Sequence, residues 1–436
     1  MGYSPRKLPR ALGNFYDQLE ERDRLAGLVT TGTNILTRGL FGRLRQQALT
    51  AATTYNLQIE LEGEFMSFRV GIPNVSAAPV TGVKVCVGVS AAVPAATHLV
   101  AIAPEQGEWI DLTFNGAATA DLAPRSGEEV WSVTWSDPVF LPSVVRSDAT
   151  TGRPLVLVRM EYPANSVAST PYNNLYNWRS TGPRVCRCSN QEVQGVTNKP
   201  AFTQANVYTS GGDEKAVIPL IQYITVARGH QVLIGGDSIP EGLGGSVRDM
   251  GAVQRAVLAL STPDRPIEYV NAGLHAQVPD VYSRMVVSLL AAVRPTILAY
   301  APWSINDVPN GGMTAAGLRR LKGAFGRVMD GLRTAGLRPI VFLPEATPAN
   351  SDKRPHGAGD QVRRDHNAFW LPRCTGAIVV KGTAAAVTGT RDASGQDQIK
   401  VGMTDPNDGV HFLDPGYDAL AELWKPYLSL VQERLQ

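Results

Sequence analysis

The stretch His230 to Gly242, HQVLIGGDSIPEG, decides how the chain is read. An apolar run in QVLIGG (231–236) ends in two glycines and passes through Asp237-Ser238 into a helical pattern at AVQRAVLAL (252–260). The same succession repeats downstream. IEYVNAG (267–273) precedes the helical VYSRMVVSLLAAV (281–293), TILAYAP (296–302) precedes AAGLRRLKGAFGRVMDGLRTAG (315–336), and PIVFLPEA (339–346) and GAIVV (376–380) follow. Strand, helix and strand in alternation imply βαβ units around a parallel sheet with helices on both faces. Residues 230–436 are therefore expected to form an α/β domain. It closes with a helix over 415–435, opened by Asp414 as N-cap and Pro415 at the first helical position.

Upstream the period changes. From 53 to 166, apolar and polar residues alternate in LQIELEGEFMSFRVGI (57–72), VTGVKVCVGVS (80–90), EWIDLTFNG (108–116), EEVWSVTWSDPV (128–139) and PLVLVRMEY (154–162). Each run is bounded by Gly, Pro, Asn or Ser, and no helical period intervenes, which predicts an antiparallel β-sandwich or jelly roll. Trp131 and Trp135, four apart in one strand pattern, should face the same side, and burial suits them better than exposure. Residues 1–52 form an amino-terminal extension whose LFGRLRQQALTAAT segment reads as a short amphipathic helix or an incoming strand. Residues 167–229, polar and turn-rich, read as a linker and connecting region.

Composition excludes several classes of function. With 44% hydrophobic and 18% charged residues, the 436-residue chain has the means to bury a core and is not disordered. A net charge of +2 supplies no basic field for nucleic acid. The longest apolar run, Val286 to Val293, stops at Arg294-Pro295, far short of the ~20 residues of a membrane span. Acidic and basic residues from Asp17 to Asp23 interrupt the region where an export signal would place its apolar core, so a cytoplasmic location is the default expectation. Export by another route, or from a trimmed chain, stays open. Four cysteines make no disulfide scaffold, and Cys186-Arg187-Cys188 lacks a second ligand pair for a metal.

In open α/β sheets the working residues collect at the carboxyl ends of the strands. After VLIG, the turn Gly236-Asp237-Ser238 presents a serine as a nucleophile, with its own N–H available to a developing anion. After IEYV comes Asn271-Ala272-Gly273, where the missing Cβ lets a backbone N–H approach a ligand. After ILAYAPWS comes Asn306, whose amide is a neutral donor toward an oxyanion. Ahead of the last helix, Asp408-Gly409-Val410-His411 places a carboxylate three residues from an imidazole. That spacing suits an acid that orients a general base.

With these residues in view, the chain resembles the SGNH, or GDSL-type, hydrolases. Gly236-Asp237-Ser238 matches the family's first block, Gly273 its second, Asn306 its third and Asp408-x-x-His411 its last, in order over about 205 residues. The resemblance implies a flavodoxin-like three-layer α/β/α fold and ester hydrolysis. Ser238 would attack, His411 would act as base and then acid, and Asp408 would orient His411. The Ser238 N–H, the Gly273 N–H and the Asn306 side chain would form the oxyanion hole. One departure stands out: the third block usually reads Gly-x-Asn-Asp, and here it is Ser304-Ile305-Asn306-Asp307. The β-rich segment also resembles the domain that precedes the catalytic domain in some bacterial SGNH esterases. The matching features are LRQ (44–46), Phe68-Arg69-Val70 with a turn at Asn74, and Trp135-Ser136-Asp137-Pro138-Val139.

The expected activity is a serine esterase that removes a short acyl group, acetyl above all, from a carbohydrate or small-molecule ester. Two alternatives stay open: a lipolytic or thioester-cleaving hydrolase, and a carbohydrate- or surface-binding protein whose α/β domain is catalytically silent. Nucleotide-binding loops, dinucleotide fingerprints and zinc-protease motifs do not occur, so neither cofactor nor metal is expected. No nucleic-acid partner is expected, and the oligomeric state is open. His275, beside the second block, is left outside the catalytic set, and His356 and His366 read as surface residues.

Overall fold

In the computed structural model, the described residues are 32–40, 44–50, 52–90, 109–127, 130–141, 143, 153–171, 186–192, 217, 219–246, 250–307, 315–350, 357–393 and 395–433. In the amino-terminal extension the described residues form two strands, β1 (Thr33–Leu40) and β2 (Leu44–Ala48), the second inside the stretch that left helix and strand open. They are followed by β3 (Thr53–Glu60), β4 (Phe65–Asn74), β5 (Val80–Ser90), β6 (Ile110–Asp111), β7 (Ala120–Leu122), β8 (Ser132–Trp135) and β9 (Leu155–Tyr162). Two more strands, β10 (Val167–Pro171) and β11 (Cys186–Glu192), lie within the expected linker. One antiparallel sheet runs β11-β3-β9-β5-β6 with β7 also on β5, and β10 pairs with β2. Tyr55, Leu57 and Ile59 from this sheet share a buried cluster with Phe65, Phe68, Val70 and Ile72 of β4.

The element that organises the molecule is β12 (Leu220–Gly236), 17 residues long. Its first half pairs antiparallel with β1 and β4, from Leu220↔Gly71 to Thr33↔Gly229. From His230 onward it pairs parallel with β13 (Ile267–Gly273) and β14 (Ile297–Tyr300). The expected boundary between 229 and 230 therefore falls inside one continuous strand. Apart from Val217 and Pro219, the described parts of 167–229 are strands, and their polar residues sit in ladders. Thr225, for example, faces Phe65 and is buried.

The parallel sheet is completed by β15 (Ile340–Pro344) and β16 (Ile378–Val380), in the order β13-β12-β14-β15-β16. Numbered along the chain this is 2-1-3-4-5, the flavodoxin-like winding, whose switch point lies at the carboxyl end of β12. β1 extends the edge, running parallel to β13 at Gly39↔Val270 and Leu40↔Asn271. The helices are α1 (Ser238–Glu241), α2 (Ala252–Leu260), α3 (Pro279–Val293), α4 (Ala315–Thr334), α5 (Gly357–Asp365), α6 (Thr383–Val387) and α7 (Asp414–Glu433).

Strand residues alternate between two helical layers, as period-2 geometry requires. Val232, Ile234, Ile297 and Phe342 cluster with Val257 of α2 and Trp424 of α7. Leu233, Val270, Leu298 and Val341 cluster with Met285 and Leu289 of α3 and Val328 of α4.

Both clusters continue into the amino-terminal strands. Tyr223 and Phe68 belong to the first, and Leu44, Trp131 and Leu220 belong to the second. Trp131 is buried, and half-buried Trp135 carries the Arg69 guanidinium 4.5 Å above its ring. Buried polar groups stitch the junction. Arg38 lies 3.5 Å from Glu268, which accepts the Tyr223 hydroxyl at 2.8 Å, and Arg153 lies 3.0 Å from Glu62. Among the described residues no helix is long and apolar enough to cross a membrane.

Candidate active site

β12 delivers Ser238 to the switch point. Asp237 caps α1: its Oδ1 accepts the Ile239 N–H at 3.0 Å, which holds the turn that carries Ser238 between them. Ser238 is buried, and its Oγ lies 2.8 Å from Nε2 of His411, 173 residues away in sequence. His411 Nδ1 lies 2.5 Å from Asp408 Oδ2. These partners set the tautomer, with Nδ1–H donating to the carboxylate and Nε2 accepting from the serine.

The loop that supplies both acid and imidazole is folded around the same carboxylate. Asp408 Oδ1 accepts the N–H groups of Val410 (2.8 Å) and His411 (3.0 Å), while Gly409, between Asp408 and Val410, adopts φ +65°. A glycine takes that left-handed conformation without the penalty of a Cβ. Burial works against ionisation of Asp408. The hydrogen bonds from the His411 ring and from the two backbone N–H groups outweigh it and hold the carboxyl below its usual range.

The three expected oxyanion donors are placed differently from one another. Asn306, in a single 3-10 turn after β14, donates from Nδ2 to the Gln277 carbonyl at 3.1 Å; an amide carries two N–H groups, so one is left to serve a ligand. The Gly273 N–H donates to Asn271 Oδ1 at 3.0 Å, and Asn271 Nδ2 donates onward to the Glu241 carbonyl at 3.1 Å. A Cβ on Gly273 would lie 2.6 Å from the Glu241 backbone nitrogen, so glycine is demanded here by the close passage of α1. Ser238 opens α1 itself.

Sequence reasoning set His275 aside. The structure stacks its ring on that of His411, with centroids 6.0 Å apart and planes 30° from parallel. The signal was its position two residues beyond Gly273, too weak in a lone histidine to separate from a solvated loop residue. His366, read as a surface residue, is buried between Trp303 and Trp370, at centroid distances of 5.0 and 4.8 Å. Two indole faces account for its burial, and burial pushes its pKa down to about 3. His356 lies outside the described residues.

Cys86 and Cys374 are free thiols, and the side chains of Cys186 and Cys188 lie outside the described residues. Among the described residues no cluster of His, Cys, Asp and Glu has a metal-holding arrangement. A cavity of about 100 Å³ lies beside the turn that carries Ser238. Asp237, Ile239, Trp303, Val410, Leu420 and Trp424 are among the residues that line it.

Neither a protein-family model nor a curated protein sequence matches this chain. Solved structures do. The chain is similar to TesA, at 19% identity and a TM-score of 0.36, over 46% of this chain and 99% of TesA. It is similar to a GDSL-like lipase from Bacteroides thetaiotaomicron, at 18% identity and a TM-score of 0.33, over 46% of this chain and 88% of the lipase. It is also similar to a family 3 carbohydrate esterase from Clostridium thermocellum, at 16% identity and a TM-score of 0.33, over 48% of this chain and all of the esterase (100%).

Proposed function

We propose that this chain is an SGNH-type serine esterase in which Ser238, His411 and Asp408 form the catalytic triad. The observation that carries this reading is the unbroken run of contacts from Ser238 Oγ to His411 at 2.8 Å and from His411 to Asp408 at 2.5 Å. His411 Nε2 takes the Ser238 proton as Oγ attacks the ester carbonyl. The tetrahedral oxyanion then draws on the Ser238 N–H and the second Nδ2–H of Asn306. His411 returns its proton to the departing alcohol, and water repeats the sequence on the acyl-enzyme. For Gly273 to join the hole, its N–H must exchange Asn271 Oδ1 for the oxyanion.

The favoured substrate is a short acyl ester, acetyl above all, of a carbohydrate or small molecule. The amino-terminal sheets are an accessory sandwich docked on the flavodoxin-like catalytic half. A lipolytic substrate is the second reading. Hydrolysis of p-nitrophenyl acetate, lost after treatment with a serine-directed organophosphonate, tests the reaction class. Full activity after such treatment counts against it. A chain-length series of nitrophenyl esters separates the acetyl from the lipolytic substrate.

A further inference from the structure

The third block departs from the family pattern at one residue, Ser304, and that residue is fully buried. Its Oγ sits among three loops. It donates to Asp237 Oδ2 at 2.7 Å on the nucleophile turn and accepts the Asn306 N–H at 3.1 Å on its own loop. It also lies 3.1 Å from the carbonyl of Gln277, in the loop after Gly273. That carbonyl receives the Asn306 Nδ2–H, also at 3.1 Å.

A glycine at this position offers none of these contacts. The Asn306 N–H would lose its acceptor and Asp237 Oδ2 a donor, both in a closed environment where an unmet partner is costly. Asp237 is itself buried, and burial raises its pKa while the hydrogen bond from Ser304 opposes the shift. The same carboxylate holds Ile239 on the far side of Ser238, so one side chain references both the nucleophile and the third block.

We propose that Ser304 is a positioning residue for the oxyanion donor: its hydroxyl ties the third loop to Asp237 and thereby sets where the Asn306 carboxamide stands relative to Ser238. This rests on the esterase reading above. Ser304 touches no reacting atom and acts through Asn306.

The test uses the full chain and four variants, Ser304→Ala, Ser304→Gly, Asn306→Ala and Ser304→Ala with Asn306→Ala, assayed for kcat and KM on p-nitrophenyl acetate. Loss of the hydroxyl should lower kcat by about 10- to 100-fold while KM moves less than about threefold. In the Asn306→Ala background the same change should cost less than about twofold, because its route to the chemistry is already gone. Wild-type kcat in Ser304→Gly, which restores the usual family residue, overturns the proposal. So does an equal loss in both backgrounds.

A second readout does not depend on turnover. In protein labelled with 15N-asparagine, the Asn306 carboxamide signal, identified by its absence in Asn306→Ala, should shift or broaden in Ser304→Ala and in Ser304→Gly. An unmoved signal overturns the proposal even if the esterase reading stands. A moved signal in a protein without Ser238-dependent turnover upholds the positioning contact while the esterase reading fails.

Discussion

The Gln231 carboxamide bonds the backbone of Thr37 on both of its groups: it accepts the Thr37 N–H at 2.5 Å and donates to the Thr37 carbonyl at 3.0 Å. Thr37 is in register with Gln222 of β12, two residues before β1 turns to β13 at Gly39, so one fully buried side chain serves the strand backbone beside that change of partner. Gln231→Leu keeps much of the volume but strands a buried N–H and a buried carbonyl. A loss of about 2–4 kcal/mol in urea unfolding is expected. A change within about 0.5 kcal/mol would mean that β1 finds other partners.

Ser238→Ala should lower turnover of p-nitrophenyl acetate by roughly 10⁴-fold or more and leave the melting profile in place. Near-native activity in the folded variant would end the triad reading.

Asp408→Asn separates the two tasks of that side chain. The amide oxygen can still accept the Val410 and His411 N–H groups, but an NH₂ now meets the ring where Nδ1–H had an acceptor. The imidazole is pushed toward the wrong tautomer, and kcat should fall about 10³- to 10⁴-fold with the loop intact. A loss of less than about tenfold would show that Asp408 only builds the turn.

Acid stability should depend on two buried imidazoles. Burial lowers His230 to about 4 and His366 to about 3, below the ~6.5 of an unfolded histidine. The unfolded chain therefore binds more protons in this window. Stability is full above about 6.5 and drains as pH falls toward the folded values, by up to about 1.4 kcal/mol per pH unit for each group. His366→Phe keeps a ring between Trp303 and Trp370 and removes one titration. Denaturation across this range should then show a shallower slope. An unchanged slope would place the titration elsewhere.

Expressing Ser210 to Gln436 alone removes β1 and β4 from the first half of β12 and uncovers Leu220, Ile221 and Tyr223, all buried in the whole chain. The fragment should be poorly soluble or melt well below the full chain. A soluble, stable and fully active fragment would show that the sheets fold independently.

The α/β half was legible because its signals are local. Strands such as VLIG run straight into a turn, Gly236-Asp237-Ser238, and Asp408 and His411 fall within one short loop. The long strand was not legible: LIQYITVARGHQ changes partners midway, and its polar centre has the composition of a connection. Long-range pairing such as Thr33↔Gly229 leaves no local trace. His366 was misread because a charged stretch surrounds it, while its burial comes from Trp303, 63 positions earlier and brought close only by the fold. For Ser304 the departure from the motif was visible, but its meaning lay in Asp237 and Gln277, which belong to two other loops.

The placement of β1 also sets a timetable for synthesis. Leu40 pairs with Asn271, so an early strand waits for roughly 230 more residues to be made, about 10–50 s at ordinary ribosome speeds. Ile35 and Leu36 wait less long, because their partners Ile224 and Tyr223 are made first, yet for roughly 190 residues of synthesis this ribbon has no native strand to join, which makes the nascent chain a natural client for chaperones that shield unpaired strands.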